Sequence, residues 1–473
     1  MNYIIIDQGT SSTKAFLFNS NGEIIHNNRI KHKIINPKKF HFETDPIEIL
    51  NAINNLFQEM IDSTNNVRIH HTGLSVQRST FLFWNKYTLE PITPALSWQD
   101  SRAHRSIEKY EKYKEQLWEI TGTPLSPHFG GPKFSYLISN NSHLKTLLRK
   151  EKVFFGPLSS YLIHAMTGTP ALDHTIACRT LLFNLKKNTW SKFALNLFKV
   201  PNTCLPPLKP SKYNYGKIFN STILLSTVIG DQQAALIGQQ DLIHNSLGAN
   251  FGTSGSIQYN VGTKPIIKKG LISSVLFSSD KKTIFMLEGT INACNSLFYY
   301  LETLLCIDHK KMNWNERIKN ITTKGIFIPG VYGLAAPYWT IGFNNIFIDL
   351  PYNKPNQIIR AGMESIGFLT NDILNCFKRN KIILPKMLTI SGGGAHSTLL
   401  QFIANITGFE IYLSTIKDRT ALGVFKILCP SIKKVRKNDQ SFIPQKDSYG
   451  TIKLKNWKKA IKNNDIKKVY SDI

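Results

Sequence analysis

Eight consecutive residues near the start of the chain, Asp7-Gln8-Gly9-Thr10-Ser11-Ser12-Thr13-Lys14, carry one carboxylate, one glycine, four hydroxyls and a cation. That set suits a metal-bound polyphosphate. The glycine admits close approach of the backbone, N–H and O–H groups donate to phosphate oxygens, and the carboxylate can hold a divalent ion directly or through water. A turn of similar make-up, Gly252-Thr253-Ser254-Gly255-Ser256, recurs far along the chain. Either alone would be an ordinary Gly/Ser/Thr turn; together they suggest two similar domains closing on one nucleotide. Between them lies Gly230-Asp231-Gln232-Gln233. An aspartate there can take a proton from a substrate hydroxyl, or simply cap a helix. Gly392-Gly393-Gly394-Ala395 could pass a nucleotide close to the backbone or be a tight turn. Arg78 follows a strand in a polar loop, where substrate contact and plain solvation are both open, and Trp98 suits a pocket wall or the core. His70 and His71 are adjacent on a strand, so their rings face opposite ways and share no metal.

Hairpins and strand ends must position these groups. Apolar runs at 3–6 and 15–18 flank the first loop, and Asn21-Gly22 reads as a two-residue hairpin turn between 15–18 and 23–26. Asp45-Pro46 opens a helix, with Ile49, Ile53, Leu56, Phe57, Met60 and Ile61 at helical spacing. Strands are expected at 69–75, 81–84 and 95–98, the first leading into Gln77-Arg78-Ser79 and the last into Gln99-Asp100. Residues 101–230 read as mainly helical, with loops at 124–132 and 203–210. The pattern then restarts: helix 232–239, the second hairpin, strand 283–288, helix 292–305, helix 358–377, strand 388–391 and a helix from about 398. The natural division lies near residue 240, with domains 1–240 and 241–473. Repetition occurs only at the scale of half the chain. No Rossmann fingerprint and no Gly-Lys-Ser/Thr phosphate loop occurs.

The chain has 473 residues, enough for two or three domains, and 42% hydrophobic residues, as in ordinary soluble proteins. No apolar run approaches the roughly 20 residues that cross a bilayer, so no membrane role is expected. No secretion signal is seen at the N-terminus. Six dispersed cysteines with no Cys-x-x-Cys pair point to reduced thiols and a cytoplasmic location. The net charge of +27 raises a nucleic-acid partner, but Lys, Asn and Ile are abundant everywhere and the basic residues form no block with interleaved aromatics. Compositional drift accounts for the charge better, and a positive surface would still attract an anionic nucleotide.

The order of these motifs resembles the FGGY family of carbohydrate and polyol kinases. The resemblance rests on residues 6–12, 94–100, 180–184, 229–238, 333–339, 358–365, 420–423 and 457–460, and covers nearly the whole chain. It implies a two-domain, actin-like (ribonuclease H-like) α/β fold, each domain a mixed sheet flanked by helices, with a cleft between them. It also implies ATP-dependent phosphoryl transfer to a hydroxyl of a sugar or polyol. By resemblance Asp231 is the general base, Asp7 helps hold Mg²⁺, and Thr10, Ser11, Lys14, Gly252, Thr253 and Gly393 serve ATP. Arg78, Ser79, His128, Asp231 and Gln232 line the acceptor pocket.

The sequence departs from the glycerol-phosphorylating members of the family. Gln-Arg-Glu becomes Gln77-Arg78-Ser79, Pro-Tyr-Phe becomes Pro127-His128-Phe129, and a hairpin phenylalanine becomes Ser256. These changes point to a roomier pocket and a larger polyol or sugar, with glycerol as the specific alternative. On the nucleotide side, Asp349-Leu350 replaces a Gly-Leu step and Asn295 replaces a helix glycine. A weakly active kinase, or a basic nucleotide-dependent binding protein, therefore stays open at this point, as does a homo-oligomer.

Overall fold

In a computed structural model of the chain, residues 2–64, 67–331, 333–340, 342–430, 440–464 and 466 are described. Two mixed sheets dominate. The first has the strand order Leu224–Gly230, Ile69–Val76, Asn2–Gln8, Ser12–Asn19, Ile24–Lys31. The first three strands run parallel, and the last two are antiparallel additions. The second sheet repeats the scheme. Leu247–Phe251 and Gly255–Gly262 form its hairpin, Met387–Ser391 and Glu410–Leu413 run parallel beside it, and Thr283–Ile291 pairs antiparallel with the hairpin's far strand. Each hairpin therefore opens its own sheet, with its turn at the same topological place.

Buried apolar alternation explains the first hairpin. Ile4, Ile6, Ala15 and Leu17 enter the main core, while Tyr3, Ile5, Phe16 and Phe18 enter a second cluster on the other face. Asn19 and Gly22, with φ of 83° at the glycine, close the next turn. The second cluster is completed by two helices, Asp231–Gln240 and Arg419–Leu428. They cross at two glycines. A Cβ on Gly238 would lie 2.0 Å from the Arg419 carbonyl oxygen, and one on Gly423 1.9 Å from that of Ala234. Only residues without side chains permit this approach. Phe425 then stacks on Phe18 at 4.6 Å, so a helix late in the chain covers the first sheet.

Several expectations needed correction. The stretch 101–230 is not mainly helical throughout: Val153–Pro157 pairs with Phe81–Asn85 in a small four-stranded sheet, because its Val-Phe-Phe run packs Phe155 against Phe81 and Phe83. The expected loop 124–132 overlaps a helix starting at Gly130. Gly130 and Gly131 serve close packing under Phe81 and Phe198, not chain reversal. The strand at 95–98 is only Ala95–Leu96. The helix expected from 292 begins at Asn295, since strand pairing persists to Ile291.

Candidate active site

The first turn is tight, with Gly9 N–H donating to the Ser12 carbonyl at 3.0 Å. Asp7 stands at the end of the opening strand and accepts from Ser75 Oγ at 2.7 Å. Burial raises its pKa to about 6; the Ser75 bond opposes this, and the charge of Asp231 adds to it. Thr10 Oγ1 accepts from the Trp98 indole at 2.9 Å, which leaves its own O–H available as a donor, and Ser11 is exposed at the tip. Lys14 Nζ lies 2.9 Å from Asp418, which sits immediately before the crossing helix Arg419–Leu428. The lysine, paired with Asp7 across the first hairpin, is thus tied to the start of that helix.

The second turn is anchored by a helix. The carbonyls of Gly252 and Thr253 accept from Asn295, Cys294 and Ser296 N–H groups at 3.0 to 3.2 Å. Gly394 N–H donates to the Phe251 carbonyl at 2.8 Å, which brings the triple-glycine loop against the hairpin. Gly392, at φ of 103°, has the same carbonyl 2.2 Å from where a Cβ would stand, so no other residue fits. Gly393 lines a cavity together with Asn295, Phe298, Trp314 and His396. Phe298 and Trp314 stack face to face at 4.1 Å and 3°, and both border the cavity. Asn295, flagged in the sequence as a departure, lines this cavity. Asp349 does not: it is exposed, and its φ of 50° is one that glycine would adopt without strain.

Asp231 is the first residue of its helix, with Gly230 as the N-cap, so the capping alternative does not describe it. Gln232 N–H donates to Asp231 Oδ1 at 2.8 Å, and Arg78 Nε lies 3.6 Å from the same oxygen. Burial raises the Asp231 pKa while Arg78 opposes, a combination that suits a proton acceptor. From behind, Thr175 Oγ1 accepts from Gly230 N–H at 2.9 Å and fixes the turn.

Arg78 is not a solvated loop residue. Its two terminal nitrogens donate to both oxygens of Glu288 at 2.9 and 3.0 Å. Glu288 also accepts from Arg179 and, at 2.7 Å, from Ser256 Oγ. Burial alone would raise its pKa, but Arg179 and Arg78 hold it well below the usual carboxylate range. Neither Glu288 nor Arg179 is found by motif reading. The one signal was a carboxylate inside the apolar run Ile284-Phe285-Met286-Leu287-Glu288, since buried charge demands a partner. Ser79 is buried at φ of 61°, and its carbonyl accepts from Lys133 Nζ at 3.1 Å. The wholly buried Lys133 also reaches the Ser97 carbonyl at 2.7 Å, tying two pocket loops together. His128 Nδ1 is 3.0 Å from the Trp98 carbonyl. That carbonyl only accepts, so Nδ1 carries the proton and Nε2 is an acceptor. Burial, then the charge of Lys133, lowers the His128 pKa to about 4, leaving the ring neutral.

The structure thus links Asp7, Asp231, Arg78, Glu288 and Ser256 of the second turn between sheets of matching topology. Comparison with known proteins gives the family. The model of the FGGY carbohydrate kinase N-terminal domain matches residues 2–238, and that of the C-terminal domain residues 247–429. The chain belongs to the FGGY family of carbohydrate kinases. As an FGGY kinase it is an ATP-dependent phosphotransferase acting on a hydroxyl of a sugar or polyol. It is 31% identical to a glycerol kinase from Thermoanaerobacter sp. (strain X514), over 96% of this chain and 97% of that one. A glycerol kinase from Leifsonia xyli subsp. xyli is 29% identical, covering 97% of each chain. Among solved structures, Plasmodium falciparum glycerol kinase with ADP superposes with a TM-score of 0.87 at 27% identity, over 98% of both chains. A ligand-bound xylulose kinase from Lactobacillus acidophilus shares the FGGY fold at the same TM-score and 22% identity, over 98% of both chains. Among the described residues, no helix is long and apolar enough to cross a membrane.

Proposed function

We propose that this FGGY kinase phosphorylates an uncharged sugar or polyol larger than glycerol, with Asp231 as general base. The observation that carries the acceptor reading is the condition of the pocket. Ser79 and Ser256 are small, the Ser256 hydroxyl is spent on Glu288, and both arginines are spent on that same carboxylate. What remains for acceptor hydroxyls is Asp231, Gln232, the outer N–H groups of Arg78 and His128 Nε2. Glycerol is the second reading, favoured by full-length relatives that bear that name. ADP release measured on a panel of C3 to C7 polyols and ketoses separates the two; glycerol emerging as clearly the best acceptor overturns the larger-substrate reading.

Asp231 takes the proton of the attacking hydroxyl while the N-terminus of its helix draws the anionic phosphoryl group nearby. Thr10, Ser11, Lys14 and Thr253 donate to the phosphates, Gly252, whose N–H is held by the Ser254 carbonyl, lets them approach the backbone, and Gly393 with the cavity it lines receives the adenosine. Asp7 suits Mg²⁺: it is a hard oxygen ligand beside the first turn, near the carboxylate of Asp231, and Mg²⁺ in kinases needs one or two carboxylates plus phosphates and water. The ion would neutralise charge on the transferring phosphoryl group. Asp231→Asn is expected to lower kcat by roughly 10²–10⁴-fold with ATP binding retained; near-normal turnover would remove Asp231 from the role. The end of the helix Asp231–Gln240 supports a division into halves 1–240 and 241–473, and six free cysteines support a reducing, cytoplasmic setting.

A further inference from the structure

Glu288 lies at the floor of the acceptor pocket on the strand Thr283–Ile291 of the second sheet, fully buried. Its partners come from elsewhere. Arg78 follows a strand of the first sheet, Arg179 follows the short helix His174–Ala177, and Ser256 belongs to the second phosphate hairpin. All four donors to its two oxygens come from these side chains, so Glu288 has no capacity left for substrate. Arg78, in contrast, is a planar fork. With both terminal nitrogens held by one carboxylate, the plane of the guanidinium is fixed, and its Nε is placed 3.6 Å from Asp231. The charges also balance. Two guanidiniums face two carboxylates, Glu288 and Asp231, and His128 is neutral.

We propose that Glu288 is the positioning residue of the acceptor pocket: it aligns Arg78 beside Asp231 and, together with Asp231, balances the charge of Arg78 and Arg179, which restricts the pocket to uncharged acceptors. The proposal rests on the acceptor-pocket reading above. Replacing the carboxylate by an amide keeps size and shape but leaves the two arginines with one uncompensated positive charge. Arg78 is then free to turn toward Asp231 or toward an anionic ligand.

The test compares Glu288→Gln, Glu288→Asp, Arg78→Ala and the double variant Arg78→Ala/Glu288→Gln, using ATP and the best neutral acceptor of the panel. For Glu288→Gln, kcat/KM for the acceptor is expected to fall about a hundredfold, the effect of a small misplacement of a reacting group. The KM for ATP should stay within about twofold, and gluconate, used as an anionic probe, should inhibit at least about fivefold more strongly than in the parent. Glu288→Asp should recover much of the loss and abolish the extra gluconate inhibition. The double variant should be no worse than Arg78→Ala alone, since Glu288 acts through Arg78. Additive losses, an equal rise in the KM for ATP, or unchanged gluconate inhibition would overturn the proposal. If Arg78→Ala itself leaves acceptor kinetics unchanged, the pocket reading fails; if only Glu288→Gln is silent, that reading stands and this inference fails. Should Glu288→Gln melt below the assay temperature, Arg179→Met carries the same cycle against Arg78→Ala. There too, non-additive losses sustain the proposal and additive ones overturn it.

Discussion

A carboxylate buried near another loses stability when it ionises, and Asp7 illustrates the sign. Its folded pKa of about 6 lies above the roughly 3.9 of an unfolded aspartate, so the folded state favours the protonated form. The contribution of Asp7 to stability is therefore greatest below about pH 4 and is lost as pH rises through 6, by up to about 3 kcal/mol. A cation held there would offset that loss. Two outcomes follow. Asp7→Asn should melt at a higher temperature than the parent at pH 7.5 without Mg²⁺, while losing most turnover, as a melting curve and an ADP assay would show. The Mg²⁺ concentration for half-maximal rate should climb as pH drops below 6, because protons and metal compete for one carboxylate. A flat Mg²⁺ requirement from pH 5 to 7.5 would contradict Asp7 as its ligand. At this scale the sequence was informative for the proposed site: Asp7, Thr10, Gly252 and Asp231 are named by type and place, and the fold sets Asp7 and Asp231 close enough for their charges to interact. Glu288 and Arg179 did not, since an isolated Glu in a strand and an Arg after a short helix have no local signature.

At the scale of elements, two helices packed on the first sheet set the positions of charged groups at its strand ends. Asp231 begins one of them and Asp418 precedes the other, so their crossing at Gly238 and Gly423 fixes Asp231 relative to Lys14. A methyl group at position 423 would press on the Ala234 carbonyl at 1.9 Å. Gly423→Ala is expected to cost about 1–3 kcal/mol in a denaturant titration, by the overpacking it forces, and to lower kcat more than the KM for ATP. An unperturbed stability would mean that the helices separate without consequence. Helix and strand existence was readable wherever periodicity was strong, as in the helix Pro355–Arg379. It was not readable at Gly130-Gly131-Pro132, where residues that ordinarily break helices begin one because aromatic rings pack against their bare backbone.

For the whole molecule, the two halves are not independent bodies. Val424 and Phe425, late in the chain, cover Ile5 and Phe18 of the first sheet, and Gly73 faces Val424 so closely that a Cβ would be 2.2 Å away. A fragment ending at residue 240 would leave that apolar face uncovered. It is expected to be insoluble or to bind a hydrophobic dye strongly, and a monomeric, cooperatively melting fragment would argue otherwise. The same interleaving places Asp231 directly after a strand of one sheet and Glu288 on a strand of the other, joined through Arg78.

By itself the sequence determined what could be done locally: two glycine–hydroxyl turns, an aspartate opening a helix, a triple-glycine loop, and the duplicated order of strands that led to the family. These follow from backbone freedom and donor type, which act over a few residues. Only the tertiary structure decided what each charge would face. Lys14 meets Asp418, Lys133 meets the carbonyls of Ser79 and Ser97, and Arg78 meets a carboxylate 210 residues away. A buried ion must find its partner wherever the chain returns to it, and no local pattern records that place.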